Sequence, residues 1–369
     1  MARREVPRSV AVYLPFRPHM GPSKWNVPEL HVVGDVAAWL SVSPEELRWF
    51  SDTSGVERAR RRQSARNYVH QWVARGEKLP RLLEAPKAKL KALQRAVLHG
   101  LLGKIPVHDA AHGFVAGRSA LTHARLHVGK KVVVRFDLRH FFTSIDTARA
   151  FGVLRWLGYT HEVSAVLIGL CTTRTPNHVL GRAPIPDLAE GEVLNQRFMM
   201  LRQLEAWHFP QGAPTSPAWA NLCAWWLDVR LSAYAKKFGL TYSRYADDLV
   251  FSGDQLSSIS RLRDVVDGVV RAEGFVINRA KTKVMHAHAR QFVTGVVVNE
   301  RPNVTRVEFD QLKALLHRCE MKGALSQSKG PVDQFRAELE GKVAWVAQLN
   351  AARGAKLKAQ LSRIDWTEG

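Results

Sequence analysis

At 369 residues and 46% hydrophobic side chains, the chain is long enough for two or three domains and apolar enough to bury sizeable cores, which excludes general disorder. It carries 54 Lys and Arg against 33 Asp and Glu, a net charge of +21, and self-repulsion on that scale makes nucleic acid the expected partner. There is no run of about 18 apolar residues, no signal-peptide pattern after Met1–Arg8, and no C-x-x-C spacing among Cys171, Cys223 and Cys319. A membrane span, a disulfide framework and a cysteine zinc ribbon are therefore set aside, and a cytoplasmic chain with buried thiols is expected.

In chain order, residues 30–62 read as helices, with Ser43 and Pro44 as cap and first turn before Glu45, Glu46 and Leu47. The basic run at 58–62 reads on charge alone as a solvated helix face. Pro86–Leu102 sets Leu90, Leu93, Val97 and Leu101 at helical spacing, with Lys87, Lys89, Lys91 and Arg95 on other faces, predicting a helix with one basic side. Lys131–Asp137 (KVVVRFD) is a β-branched run ending in an acid and predicts a strand; Leu240–Gly253 (LTYSRYADDLVFSG) predicts a hairpin around a polar centre. Between them, Gln211–Pro217 (QGAPTSP) feeds the apolar AWANLCAWWLDVRL, with Ser216 as N-cap, Pro217 at the first helical position, and Trp225 and Trp226 in the core. After Pro302 a basic, Ala/Leu-rich composition runs helical to Trp366, and a boundary is expected near Glu300. With no repeat and no long linker, these parts should pack as one unit.

Successive strand side chains point to opposite faces, so adjacent Asp247 and Asp248 reach one site together only at a tight turn. Two carboxylates there repel unless a cation lies between them, and magnesium held by oxygen ligands is the usual solution; a solvated Asp-Asp turn is the plain alternative. Asp137 ends a strand of buried character, where an unpaired carboxylate is costly. Three acids at two strand ends suit a two-metal site for in-line phosphoryl displacement, although a capped loop acid would also explain Asp137. The loop at 211–217 has the helix start and the glycine that favour phosphate approach, or is ordinary turn chemistry.

FDLRHFFTSI, QGAPTSPAWANL, YADD and INRAKTK follow one another in the order and rough spacing of reverse transcriptase palm motifs, and the sequence resembles a bacterial retron-type reverse transcriptase. Upstream, RLLEAPKAKLKALQRAVL and HGFVAGRS resemble the fingers motifs, and Val293–Asn299 (VTGVVVN) resembles the VTG segment of that family. The resemblance implies an α+β right-hand polymerase with fingers, an antiparallel-sheet palm and a helical thumb. The implied division is an N-terminal helical extension at 1–62, fingers and the start of the palm at 63–136, palm at 137–300 with a fingers insertion near 148–205, and an RNA-binding thumb at 301–369.

By position, it makes Asp137, Asp247 and Asp248 the magnesium-binding catalytic acids, with Leu138 adding its carbonyl and Lys281 near the pyrophosphate leaving group as a general acid. Phe142 matches the bulky gate against a 2′-OH, Gln211 and Gly212 line the incoming nucleotide, and Arg81 holds its triphosphate. Arg118, His127, Lys313, Arg318 and Lys322 are the implied RNA contacts. Retron enzymes usually carry N-A-x-x-H before the catalytic strand; here His123-Ala124-Arg125-Leu126-His127 keeps only the Ala and the last His.

The implied activity is RNA-directed DNA synthesis from dNTPs and Mg2+ on a cognate structured non-coding RNA. Such enzymes start from a guanosine 2′-OH and leave a branched RNA–DNA hybrid that works with an effector protein in anti-phage defence. Template removal falls to a host RNase H. Group II intron and abortive-infection reverse transcriptases share the palm motifs. A non-catalytic RNA-binding scaffold and a two-metal nuclease are the rivals from other classes, the latter disfavoured because hydrolysis has no use for a deoxynucleotide gate. Of the weaker signals, His108 and His112 have the i, i+4 spacing of a zinc helix but no third ligand, and His286 and His288 read as solvent- or RNA-facing on one strand face.

Overall fold

The computed structural model describes residues 19–60, 62–187, 191–255 and 258–366, so Arg61 of the basic run and the first 18 residues of the expected extension lie outside it. The chain begins with helices α1 (Val33–Trp39) and α2 (Pro44–Ser51). Ser43 caps α2 as its sequence predicts: its hydroxyl accepts from Glu46 N–H at 3.2 Å, and the Glu46 carboxylate accepts from Ser43 N–H at 3.2 Å. Strands β1 (Tyr68–Arg75) and β2 (Lys78–Pro86) form an antiparallel hairpin. Burial alternates along β2, sending Pro80, Leu82, Glu84 and Pro86 inward and leaving Arg81 exposed. Helix α3 (Ala88–Gly100) buries Leu90, Leu93 and Val97, and Lys89, Lys91 and Arg95 stay on its outer face.

Helix α4 (Ala120–Arg125) leads into β3 (Val132–Asp137). A run of helices follows: α5 (Thr147–Trp156), α6 (His161–Cys171), α7 (Asn177–Leu180), α8 (Glu192–Glu205), α9 (Ser216–Cys223) and α10 (Trp225–Lys237). The expected hairpin is β4 (Thr241–Tyr245) and β5 (Asp248–Gly253); α11 (Ile259–Ala272) and β6 (Lys283–His286) come next. The four strands make one antiparallel sheet in the order β4-β5-β3-β6.

The two faces of this sheet divide its residues by the period of two. Val134, Phe136, Leu249 and Phe251 enter a core shared with α6, α9, α10 and α11. Val133, Val250 and Met285 enter a second core with the short strands β7 (Phe292–Val293) and β8 (Val296–Val297) and the helices α12 (Arg306–Lys322), α13 (Val332–Leu349) and α14 (Ala351–Leu361). The C-terminal helices thus share their core with the sheet. All three cysteines are free and buried.

Two local expectations fail. Ser216 is the first residue of α9, not its cap, because its hydroxyl donates to the Pro210 carbonyl at 2.7 Å. Trp226 is 61% exposed, since α10 buries the face of Leu227, Leu231 and Ala235, and one residue is 100° around a helix. Among the described residues, no helix is long and apolar enough to cross a membrane.

Candidate active site

Asp137 and Asp248 stand directly opposite across β3 and β5, so both carboxylates leave the sheet on the face that carries Arg135 and Val250. Between β4 and β5 the turn is only Ala246 and Asp247, with Ala246 at φ +54°, as a tight hairpin demands. Leu138 N–H donates to the Asp247 carbonyl at 2.9 Å and Asn278 N–H to the Asp137 carbonyl at 2.7 Å. The chain leaving β3 is therefore stitched to the turn on one side and to the approach to β6 on the other.

Buried polar groups hold the turn from behind. Arg244 of β4, fully buried, donates through Nε and Nη2 to Asp228 (2.7 Å at the shortest) and through Nη1 to Asn221 Oδ1 at 3.0 Å and the Ala246 carbonyl at 3.2 Å. Tyr242 OH donates to Asp228 at 2.8 Å, and Asn221 Nδ2 donates to the Gly113 carbonyl at 2.9 Å. Residues 110–113 run beside β4, with His112 N–H on the Arg244 carbonyl and Arg244 N–H on the Ala110 carbonyl, both at 2.7 Å. Glycine is needed at 113, where a Cβ would stand 2.6 Å from Ala246 N.

Charge at the acids is partly compensated. Lys281 Nζ donates to both Asp137 oxygens at 2.9 Å, and Arg135 grips Asp248 through Nε at 2.9 Å and Nη2 at 2.6 and 2.8 Å. Burial raises the Asp247 carboxyl above its ordinary value, and the Asp137 charge raises it further. Burial also pushes Asp248 up to about 6, outweighing the attraction of Arg135.

Crowded carboxylates of this kind are relieved by a hard cation. Asp137 and Asp247 line the cleft, and Asp137 already seats the Lys281 ammonium, so these oxygens fit a magnesium ion. Asp248 does not line it, and Arg135 occupies its oxygens. Among the described residues, no three His, Cys, Asp or Glu side chains stand together as a ready metal set. The three expected acids are nonetheless neighbours: Asp137 pairs with Asp248 across the strands and Asp247 adjoins Asp248 in the turn, with two lining the cleft and one held by Arg135.

The cleft opens in front of these acids. Arg75, Lys78 and Arg81 of the β1–β2 hairpin form its far wall, and Leu138, Phe142, Gln196, Met200 and Gln211 line the space between. Phe142 packs against Phe114 and Phe141 with ring centroids 5.9 and 5.7 Å away. The Gln211 carbonyl accepts from Glu84 N–H at 2.8 Å, which makes the QG loop an added rung on β2. Glu84 itself is buried and accepts from Thr175 Oγ1 at 2.8 Å and His208 Nε2 at 2.6 Å. Burial alone would raise it, but His208 and His70 hold it at about 2, and Glu84 in turn lifts His208 above its ordinary value against the effect of burial.

Residues 75–302 match the reverse transcriptase (RNA-dependent DNA polymerase) family. The chain is 40% identical over 342 residues to the retron Mx65 reverse transcriptase of Myxococcus xanthus, covering 91% of this chain and 72% of that protein. It is 37% identical over 356 residues to the retron Mx162 enzyme of the same organism (92% and 68% covered), and 32% identical over 242 residues to the retron Ec86 reverse transcriptase of Escherichia coli (65% and 66% covered). The chain belongs to the retron-type reverse transcriptases. It is an RNA-directed DNA polymerase, of a family that uses divalent metal ions.

In this reverse transcriptase, Asp137, Asp247, Lys281, Arg81, Leu138, Phe142 and Gln211 all line the one cleft. Gly212 does not. Its φ of +131° and a Cβ that would lie 2.9 Å from the Glu84 carbonyl show that it lets the loop close against β2. His127 is overturned as an RNA contact. It is fully buried, with Nδ1 2.7 Å from Ser252 Oγ and Nε2 2.7 Å from Ser243 Oγ, and so bridges β4 and β5 behind the turn. His123 is buried beside it against the Tyr245 ring, 5.8 Å between centroids. Burial lowers His127 to about 3 and His123 to about 2, so both rings are neutral.

Arg118 is partly exposed: Nη1 donates to the carbonyls of His108, Asp109 and Ala111 at 3.1, 2.9 and 2.6 Å, and Nη2 to the Asp109 carboxylate at 3.2 Å. That guanidinium is committed to the turn beside β4. The same turn removes the i, i+4 zinc geometry, since residues 108–112 are not helical; His112 Nδ1 meets Thr122 Oγ1 at 3.0 Å instead. Lys313, Arg318 and Lys322 are exposed on α12, and His286 and His288 are exposed and stacked at 5.7 Å. Arg135 and Arg244 went unmarked in the sequence reading. Arg135 had one signal, a cation two residues before Asp137 on the same strand face.

Proposed function

We propose that this enzyme copies a structured non-coding RNA into DNA by magnesium-dependent nucleotidyl transfer, as the retron resemblance implies. The observation that carries the reading is the cleft itself: Asp137, Asp247 and Lys281 on the sheet side, three cations of the β1–β2 hairpin opposite. The central sheet and its helices act as palm, the β1–β2 hairpin with α7 and α8 as fingers, and α12–α14 as thumb. The division is that expected from sequence: 1–62, 63–136, 137–300 with an insertion near 148–205, and 301–369.

Magnesium, when bound, supplies activation of the attacking hydroxyl and stabilisation of the leaving oxygen. Asp137, Asp247 and Asp248, with the Leu138 carbonyl, would hold it, and Arg135 balances the Asp248 charge. Arg81, with Arg75 and Lys78 beside it, binds the triphosphate by charge-assisted hydrogen bonds. Gln211 lines the base and sugar, and the bulk of Phe142 excludes a 2′-OH. Lys281 donates a proton to the departing pyrophosphate. Lys313, Arg318 and Lys322 follow the phosphates of the RNA–DNA duplex.

Primer extension on a primed RNA template with dNTPs and magnesium tests this. Extension by wild type and its loss in D247A/D248A are expected; equal extension by both would overturn the assignment. In the cell, the product is a branched RNA–DNA hybrid begun at a guanosine 2′-OH, trimmed by a host RNase H and used with an effector protein in anti-phage defence in the cytoplasm. Sequencing nucleic acid from cells carrying the native locus tests that step, and recovery of only linear DNA with no RNA linkage counts against it.

A further inference from the structure

The basic run that reads as a solvated helix face does not lie on a helix. Glu57–Ala59 is a single 3-10 turn, and Arg58 and Arg60 line a pocket whose other wall is Asn177, His178 and Arg182, with Gly55 also lining it. No residue of this pocket lines the nucleotide cleft.

No carboxylate lines it either, because the nearby acids are committed elsewhere. Asp52 accepts from Val56 and Glu57 N–H groups, Glu57 is buried on Asn67 N–H, and Glu205 is shared between Arg58 and Arg202. Among the described residues, Arg60 and Arg182 form no ion pair. Burial lowers His178, and Arg66 and Arg182 oppose its protonation further, while Arg66 has Glu57 as a counter-charge. A pocket lined by Arg58, Arg60, His178 and Arg182 with no carboxylate favours an anion.

A second feature says which anion. Trp49 on α2 is 37% exposed, and the Arg60 guanidinium lies 6.0 Å from its ring centroid. A cationic pocket beside an exposed indole suits single-stranded nucleic acid, whose phosphates take the groove while a base stacks on the ring. The pocket also has a rigid mount. Trp72 Nε1 donates to the Val179 carbonyl at 2.9 Å, and Leu82, Val179, Met200 and Leu204 form one apolar cluster, so α7 is packed against the hairpin that carries Arg81.

We propose that this pocket binds a phosphodiester of single-stranded RNA with a flanking base on Trp49, the choice of RNA over other polyphosphates resting on the polymerase reading above. The strand is either the template ahead of the cleft or a separate single-stranded part of the RNA. The test is fluorescence anisotropy of a labelled oligouridylate of about 15 nucleotides on the full chain, across a salt series, with a blunt RNA duplex of equal length alongside.

R60Q/R182Q should bind oligouridylate about tenfold more weakly, with the slope of log K against log salt reduced by about 1.4, or ~0.7 for each lost phosphate contact. W49A should weaken binding about tenfold with little change of slope. Duplex binding, melting temperature and single-nucleotide incorporation on a primed template with a one-base overhang should not move. An overhang of about 15 bases that tightens wild type but not R60Q/R182Q identifies the template as the strand; oligouridylate that still binds beside such a template identifies a separate one. Wild-type oligouridylate affinity and slope in R60Q/R182Q would overturn the proposal, as would an equal loss of duplex binding. Failure of wild type to incorporate on the one-base overhang would sink the polymerase reading and leave the pocket assignment standing.

Discussion

His127→Phe isolates the strand bridge behind the acid turn. The ring is kept, both nitrogens are lost, and the buried hydroxyls of Ser243 and Ser252 are left without the partner that now lies 2.7 Å from each. An orphaned buried hydroxyl costs about 1–3 kcal/mol, so the substitution should remove about 2–6 kcal/mol from a total of ~5–15. Adding S243A and S252A replaces every partner by an apolar group and should recover most of that loss.

The same bridge sets a pH dependence. His127 is lowered to about 3 in the folded chain by burial, with His112 and Lys130 also opposing its charge, against an ordinary 6.5. A base lowered on folding contributes stability above its unfolded value and loses it as pH falls, because the unfolded chain takes up a proton that the folded chain refuses. Down to pH 5 that is about 1.5 pH units at 1.36 kcal/mol each, or ~2 kcal/mol, and His123, lowered to about 2, loses a similar amount. Urea unfolding at pH 7.5 and pH 5 should show wild type losing ~4 kcal/mol through these two rings and His127→Phe about half as much. A triple variant no more stable than the single one, or an unchanged pH slope, would refute the reasoning.

Gly113→Ala should shift the acid turn, since the new Cβ meets Ala246 N at 2.6 Å. Single-nucleotide kinetics should show kcat down by roughly 100-fold with the dNTP KM within about twofold. Asp228→Asn leaves Arg244 buried without its counter-charge, and chemical denaturation at pH 7 should register a loss of about 3–5 kcal/mol. Phe142→Ala enlarges the cleft where a sugar 2′-OH would lie, so parallel extensions with rNTPs and dNTPs should show the ribonucleotide share rising at least tenfold; an unchanged ratio would remove Phe142 as the gate.

What the sequence made legible is what local chemistry decides. The Ser43–Pro44–Glu46 cap, the KVVVRFD strand and the YADD hairpin each depend on residues within a few positions of one another. The failures have a common cause in partners far along the chain. HDAAH has helical spacing, but the backbone groups of Ala110 and His112 find better partners on Arg244. His127 is an RNA contact by resemblance until pairing of β4 with β5 brings Ser243 and Ser252 to either side of it. The Arg135 grip on Asp248 likewise appears only when β3 pairs with β5.

The supports of the site are polar where apolar packing would serve stability as well. Arg244 with Asp228, His127 with its two serines, and Glu84 with His208 and Thr175 are all buried, and buried pairs of this kind add little net stability over apolar residues of the same volume. Their effect is on register. A one-residue slip of β5 against β3 would carry Asp248 to the opposite face of the sheet, into the core of Phe136 and Phe251. The β-branched side chains of β3 resist such a slip only weakly, because Val132, Val133 and Val134 are interchangeable in shape. Hydrogen bonds are not interchangeable: His127, just before β3, reaches Ser252 of β5 and Ser243 of β4 in one register only, and Arg244 ties the turn leading into β5 to Asp228 and Asn221. Glu84 extends the same control to the far wall, since its backbone N–H joins β2 to Gln211 while its carboxylate is held by His208, three residues before Gln211. The buried charges therefore act on catalysis through geometry, by holding two walls of a cleft whose acids repel one another.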